Sequence, residues 1–126
     1  MAYKEPVKGT LLSYRNDIKV LDATVRDGGL VNNFFFTDQF VRDLYETNLK
    51  AGVDYMELGY LADKELFDPE KFGKWKFCEE EAIRGVIPAN DTNMKLAVMA
   101  DVGRSNVKRD LPNKKDSILD MVRIAT

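Results

Sequence analysis

Four short apolar runs recur along the chain, and each one ends in a polar or glycine-containing segment. They cover residues 18–21, 53–59, 94–100 and 118–125. Short apolar runs rich in branched side chains are typical of strands that are buried on both faces of a parallel sheet. The pattern therefore predicts four β-strands.

The segments between these strands carry helical or loop signals. Apolar residues at helical spacing predict a helix that Thr37 caps at its amino end and Gly52 ends. A second helix is predicted over 78–87, and a short or broken one over 104–117. Because of its glycines, the segment from Gly28-Gly29 to Phe36 is predicted to be a long loop.

The order of the elements points to an α/β fold. Strands that alternate with helices imply right-handed crossovers and a parallel sheet. A complete eight-stranded TIM barrel needs about 250 residues, and this chain has 126 residues and four predicted strands. We therefore expect a lead-in over 1–17 and the N-terminal half of a TIM barrel over 18–126, truncated from a longer protein.

Composition narrows the class of protein. The chain has 19 Lys plus Arg against 21 Asp plus Glu, so its net charge of -2 gives no electrostatic reason to expect a nucleic-acid or membrane partner. The single cysteine, Cys78, favours a reducing, cytoplasmic location. Histidine is absent, which removes the commonest general base and the commonest metal ligand. Any metal chemistry must then rest on carboxylates, carbonyls and water.

The polar segment after the first strand carries the clearest candidate chemistry. Arg26 and Asp27 stand side by side before Gly28 and Gly29. The carboxyl ends of parallel strands are where ligands bind, and charged groups are costly to bury unless paired or bound to a metal. A strand-end salt bridge with a capping Asp would explain the same residues. Arg123, within the fourth strand, would need a carboxylate partner if it pointed inward.

The chain resembles the metal-dependent aldolase and lyase barrels, the family that includes hydroxymethylglutaryl-CoA lyase and the pyruvate carboxyltransferase domains. It is most similar to the 4-hydroxy-2-oxovalerate aldolase branch. The matching segments are residues 21–29, Asn32-Asn33, Phe36, 51–60 and 120–126. The resemblance implies an eight-stranded barrel that uses a divalent metal, Mn or Mg. It also implies that a carbon–carbon bond is made or broken beside the enolate of a small 2-oxo acid such as pyruvate.

The resemblance also implies a role for individual residues. Asp27 would bind the metal, Arg26 would stabilise the charge of the enolate, and Glu57 would pair with Arg26 and orient it. Gly28, Gly29 and Arg123 would lie on the substrate side. The chemistry agrees, because a fixed guanidinium lowers the energy of an oxyanion and a carboxylate is a hard oxygen ligand suited to these ions.

Two features depart from the family pattern. Family members complete the metal site with a His-x-His pair from a later strand, and this chain has no histidine. The aldolase branch places an acid–base histidine at the third position after Asp27, where this chain has Leu30. We therefore expect the chain alone to be inactive. Because Leu30 stands where the aldolase branch has a histidine, the resemblance implies neither the hydroxy-oxovalerate substrate nor an acid–base residue.

Two other classes of function fit the same residues. The chain could be a non-catalytic α/β module that binds a small anion at Arg26 and the glycine segment, or a structural half-barrel that assembles with a partner chain. The exposed edges of the first and fourth strands would also favour pairing. We therefore expect a homo-oligomer that buries a strand edge or the bare sheet face.

Overall fold

A computed structural model describes Arg15 and residues 17–126, so the predicted lead-in over 1–17 lies almost entirely outside the described residues. Four parallel strands form one sheet in the order β1-β2-β3-β4. This confirms the predicted α/β class with a parallel sheet. The strands are β1 (Leu21–Asp22), β2 (Tyr55–Tyr60), β3 (Lys95–Asp101) and β4 (Met121–Ala125).

Helices connect successive strands. They are α1 (Thr24–Asn32), α2 (Asp38–Ala51), α3 (Glu80–Arg84) and α4 (Val107–Asp110), with 3-10 turns at Lys74–Lys76 and Lys114–Asp116. The predicted ends of α2 are confirmed. The Thr37 hydroxyl accepts a hydrogen bond from the Phe40 amide at 3.1 Å, and Gly52 ends the helix in the left-handed conformation. The broken helix expected over 104–117 is also present, as α4 and the second 3-10 turn.

The predicted loop over 28–36 is wrong for its first five residues, because the chain there is helical as α1. Each glycine inside a helix costs about 1 kcal/mol relative to alanine, so Gly28-Gly29 resembles a loop signal. Packing overrides this preference at Gly29, where an added Cβ would lie 2.0 Å from the Phe34 ring. Arg26 and Asp27 therefore lie on the first turns of a helix and not in a glycine-rich turn.

The first strand is shorter than predicted. Only Leu21 and Asp22 pair with β2, in register with Tyr55 and Met56. The Val20 carbonyl already accepts hydrogen bonds from the Asp54 and Tyr55 amides. The residues before Leu21 thus approach the sheet without forming a regular ladder.

The two faces of the sheet differ in chemistry. One face carries the apolar side chains of the core, including Met56, Leu58, Leu96 and Val98, which pack with the helices and with the buried Trp75. Because side chains alternate along a strand, the residues between them point the other way. Glu57 and Ala97 are paired on that second face.

The register also places Arg123 on this second face. Ala97 pairs with Met121, and Met99 pairs with Arg123, two residues further along β4. The strand register thus brings a glutamate and an arginine to the same face of the sheet, with β3 between them.

An irregularity interrupts β2 just after Glu57. The register against β3 shifts between Glu57 and Tyr60, and Gly59 has a φ of 156°. An added Cβ at Gly59 would lie 1.9 Å from the Trp75 carbonyl oxygen, so the 3-10 turn packs directly against the strand. Among the described helices, none is long and apolar enough to cross a membrane.

Candidate functional site

Three charged side chains meet on the second face of the sheet. The Glu57 carboxylate of β2 accepts one hydrogen bond from Arg26 of α1, with 2.7 Å between Nε and Oε1. Arg123 of β4 donates two, from Nε to Oε2 at 2.6 Å and from Nη2 to Oε1 at 2.7 Å. Arg123 reaches Glu57 across β3, where the small side chain of Ala97 pairs with Glu57.

Glu57 is fully buried and ionised. Its side chain has no solvent exposure. Burial acts to raise the pKa of Glu57, but the hydrogen bonds and charges of Arg123 and Arg26 outweigh that effect and hold the pKa below its ordinary value. A buried carboxylate that accepts three charge-assisted hydrogen bonds is fixed in place.

The two arginines share Glu57 as their one buried acidic partner, and the exposed Asp27 pairs with Arg26 as well. Two guanidinium groups face one buried carboxylate. For Arg123, the hydrogen bond to Glu57 is the main reason that its pKa is raised. For Arg26, burial acts to lower the pKa, and interactions with Glu57 and Tyr60 outweigh it, so the pKa is raised as well.

Each arginine also keeps donors that no described residue uses. Within 17–126, Arg26 Nη2 and Arg123 Nη1 make no hydrogen bond to a described group. The side chain of Arg26 is 18% exposed and that of Arg123 is 39% exposed. Both guanidinium groups are thus held by Glu57, and part of each arginine side chain is exposed to solvent.

Asp27 stands apart from this cluster. Its side chain is 72% exposed, and its only described contact is Arg26 Nη1 at 3.3 Å. Its oxygens are of the kind that Mn or Mg binds. In the part of the chain that the structure describes, no three Asp, Glu or Cys side chains gather to hold a metal ion. Asp27 alone supplies one ligand, so these residues do not build a complete metal centre.

The glycines and Leu30 face in different directions. Gly28 is half-buried beside Phe36, where an added Cβ would lie 3.6 Å from the ring. Gly29 is buried beneath Phe34. Leu30 is exposed on the outside of α1. Of the residues that the sequence singles out, the structure therefore brings together Arg26, Glu57 and Arg123.

Two further residues of interest, Tyr60 and Lys76, were not predicted as site residues from the sequence. Tyr60 follows Glu57 by three positions and contributes to the raised pKa of Arg26. Lys76 is buried against the Tyr60 ring. Its signal in the sequence was weak, because a lysine inside an aromatic-rich segment is also typical of a packed loop.

Comparisons of the chain with protein-family models, with curated proteins and with solved structures give no match. The geometry of the site and the resemblance noted above therefore carry the functional conclusion.

Proposed function

We propose that the cluster of Arg26, Glu57 and Arg123 binds a small 2-oxo acid and stabilises its enolate. In the intact protein this chemistry would make or break a carbon–carbon bond. The observation that supports this most directly is the buried Glu57 carboxylate, which fixes the guanidinium groups of two partly exposed arginines. The barrel fold, of which these four strands would form half, belongs to the same proposal.

The arginines would act by orientation and charge. A guanidinium presents a planar pair of donors that matches a carboxylate, so one arginine would hold the acid group of the substrate. When the bond beside the carbonyl breaks, its electron pair moves onto the carbonyl oxygen. A guanidinium that is already fixed stabilises that developing charge without reorganising. Glu57 would be a positioning residue, since both arginines depend on it.

Asp27 is our proposed ligand for a divalent ion such as Mn or Mg, which when bound would polarise the oxygens of the 2-oxo acid. Asp27 contacts Arg26, so the ion would lie beside the same guanidinium. Further ligands would have to come from water, substrate or residues outside the described part. We place the protein in a reducing cytoplasmic compartment, in keeping with its single thiol.

Oxalate, a stable mimic of the pyruvate enolate, gives the most direct test of the cluster. We expect calorimetry to detect oxalate binding to the purified chain, and Arg123→Met to weaken it at least about tenfold, the equivalent of one charge-assisted hydrogen bond. Arg84→Met is the matched control, because Arg84 pairs with Glu80 on the surface. Equal oxalate affinity in wild type and Arg123→Met would overturn the proposal.

A non-catalytic anion-binding module is the second candidate. The observation in its favour is that one described carboxylate, Asp27, is available to a metal beside the arginines. The two candidates differ in whether a bound 2-oxo acid enolises. Exchange of the pyruvate methyl protons for deuterium, followed by NMR with added Mn²⁺, would support the enzyme. Oxalate binding without any exchange would support the module.

We also propose that the chain self-associates through a sheet edge. The strand order leaves β1 and β4 at the edges, and Ile124 of β4 is exposed. An unpaired edge strand with apolar side chains favours pairing with another chain. Light scattering should report a dimer or larger species, and Ile124→Lys should reduce its mass. A monodisperse wild-type monomer would contradict this, and the structural half-barrel with it.

A further inference from the structure

Lys76 lies inside a cage of aromatic rings. Its Nζ is within cation–π distance of four ring centroids, and its residue surface is 8% exposed. The distances are 4.2 Å to Phe67, 4.8 Å to Tyr60, 5.3 Å to Phe34 and 5.6 Å to Phe72. The backbone fixes the lysine as well, because its carbonyl accepts a hydrogen bond from the Ala62 amide at 3.1 Å.

No carboxylate pairs with this ammonium among the described residues. Lys64, Lys74 and Lys114 each form an ion pair with an acidic side chain, whereas Lys76 forms none. Burial lowers the pKa of Lys76, while the charge of Asp101 acts to raise it and that of Arg104 to lower it. A desolvated lysine without an anion has a larger neutral fraction at a given pH, and the neutral amine is the nucleophile.

We propose that Lys76 is a carbonyl-capturing amine that forms a reversible imine with a small uncharged aldehyde. The nitrogen lone pair attacks the carbonyl carbon, and the π electrons move to oxygen, which takes up a proton. The resulting carbinolamine loses water to give an iminium ion, which can release its proton as the imine. One C–N double bond replaces one C–O double bond, and nothing is oxidised or reduced.

The cage selects for this chemistry in two ways. The faces of aromatic rings are electronegative, so they stabilise the cationic iminium product and disfavour a carboxylate, whereas burial disfavours the charged form of the reacting amine. An aldehyde is therefore a better partner than a 2-oxo acid. Phe67 and Phe72 are only partly buried, so we propose that a small molecule would approach Lys76 from their side.

This inference stands on residues other than the arginine cluster. Tyr60 lies near both sites, and oxalate binding is not needed for an imine to form. Imine formation at Lys76 can therefore be disproved without affecting the proposal for the arginine cluster, and the proposal for the arginine cluster can be disproved without affecting imine formation.

Reductive trapping tests the proposal on the folded full chain. The protein is treated briefly with propanal and cyanoborohydride, digested, and analysed by mass spectrometry for propylated lysines. We expect Lys76 to be labelled faster than the exposed Lys71, because burial lowers the pKa of Lys76 and so raises its neutral fraction at the working pH. The preference should vanish in concentrated guanidinium chloride, which removes the cage.

Lys76→Arg serves as the matched variant. It keeps the cation within the cage and cannot form the imine, so the rapid phase of labelling should disappear while the rate at Lys71 stays unchanged. Labelling of Lys76 that is equal to or slower than that of Lys71 in the folded protein would overturn the proposal.

Discussion

The protein buries positive charge in two neighbouring places and compensates for it in opposite ways. Arg26 and Arg123 share one buried carboxylate, Glu57, whereas Lys76 faces four aromatic rings and has no described carboxylate partner. The pKa values of the two arginines are raised and that of the lysine is lowered. An anion locks a cation in its charged form, while rings only partly offset the loss of water.

The opposite pKa shifts suit the two arginines and the lysine to different chemistry. A guanidinium that stays charged is suited to binding an anion, and an amine that can lose its proton is suited to attacking a carbonyl. Tyr60 belongs to both surroundings, since it contributes to the pKa of Arg26 and contacts Lys76. Tyr60 therefore links the two sites.

Replacing Glu57 should have the largest effect, because it removes the anion from the first site. Glu57→Gln keeps the shape but removes the buried countercharge that the two guanidinium groups share, and leaves Arg26 only the exposed Asp27. Loss of one partner from a buried ion pair costs about 3–5 kcal/mol, and we expect a fall of this size in the free energy of unfolding in urea. Unchanged stability would mean that the arginines are hydrated and that the contrast with Lys76 is false.

The same glutamate should make the fold sensitive to acid. Because the folded-state pKa of Glu57 is lowered, its contribution is complete above the unfolded value of about 4.3. It is lost as the pH falls through that value towards the folded pKa. The free energy of unfolding measured against pH should therefore fall below about pH 4.3, and Glu57→Gln should flatten that part of the curve.

Removing one arginine should cost less than removing the shared anion. Arg123→Met leaves Glu57 with a single hydrogen bond, from Arg26, so one carboxylate oxygen loses its partner. An unsatisfied buried acceptor costs about 1–3 kcal/mol. Chemical denaturation of wild type, Arg123→Met, Glu57→Gln and the double variant would give the coupling energy. No coupling between the two positions would contradict the shared-anion description.

Neutralising the caged lysine should change stability still less. Lys76→Met keeps a long, flexible chain among the rings, and we expect a change under about 1.5 kcal/mol near neutral pH. The pH dependence is more telling. With the folded-state pKa of Lys76 lowered, wild-type stability should rise with pH between that folded pKa and the unfolded value of about 10.4. Lys76→Met should lack this rise in stability. An identical rise in both proteins would show that Lys76 is not its cause.

Asp27 should show the smallest effect on stability. Its side chain is mostly exposed and makes one long contact with Arg26, so Asp27→Asn should change the free energy of unfolding by no more than about 0.5 kcal/mol. Under the proposed function, the same variant should lose affinity for Mn²⁺ in a calorimetric titration. A variant that is destabilised by several kcal/mol would show that Asp27 is structural.

The last three strands and α2 could be predicted because local signals and tertiary packing agree there. Thr37 and Gly52 mark the ends of α2 both in the sequence and in the structure. The signals disagree in α1, where Gly29 disfavours a helix locally and is needed because Phe34 packs against it. No local sequence pattern indicates this contact. The chain reverses direction at Asn33 and Phe34, which both have positive φ, and this places the Phe34 ring against α1.

The pairs of the candidate site could be expected from the sequence, but their arrangement around one glutamate could not. The pairing of Arg26 with Glu57 agrees with the resemblance, and Arg123 was expected to need a carboxylate. That one glutamate serves both arginines depends on the register of three strands, which no single segment of the sequence reveals. The cage of Lys76 depends on rings from three separate segments, so no single segment of the sequence indicates it.

Gly59 carries a consequence for the history of this chain. Any side chain there would meet the Trp75 carbonyl oxygen, and its φ is one that only glycine adopts readily. Glu57 lies two residues before it, and Tyr60 directly after it. We therefore expect substitutions to be tolerated at exposed positions such as Leu30 and not at position 59 while the backbone keeps this path. Any successful replacement would have to coincide with a change in the path of the 3-10 turn that also delivers Lys76.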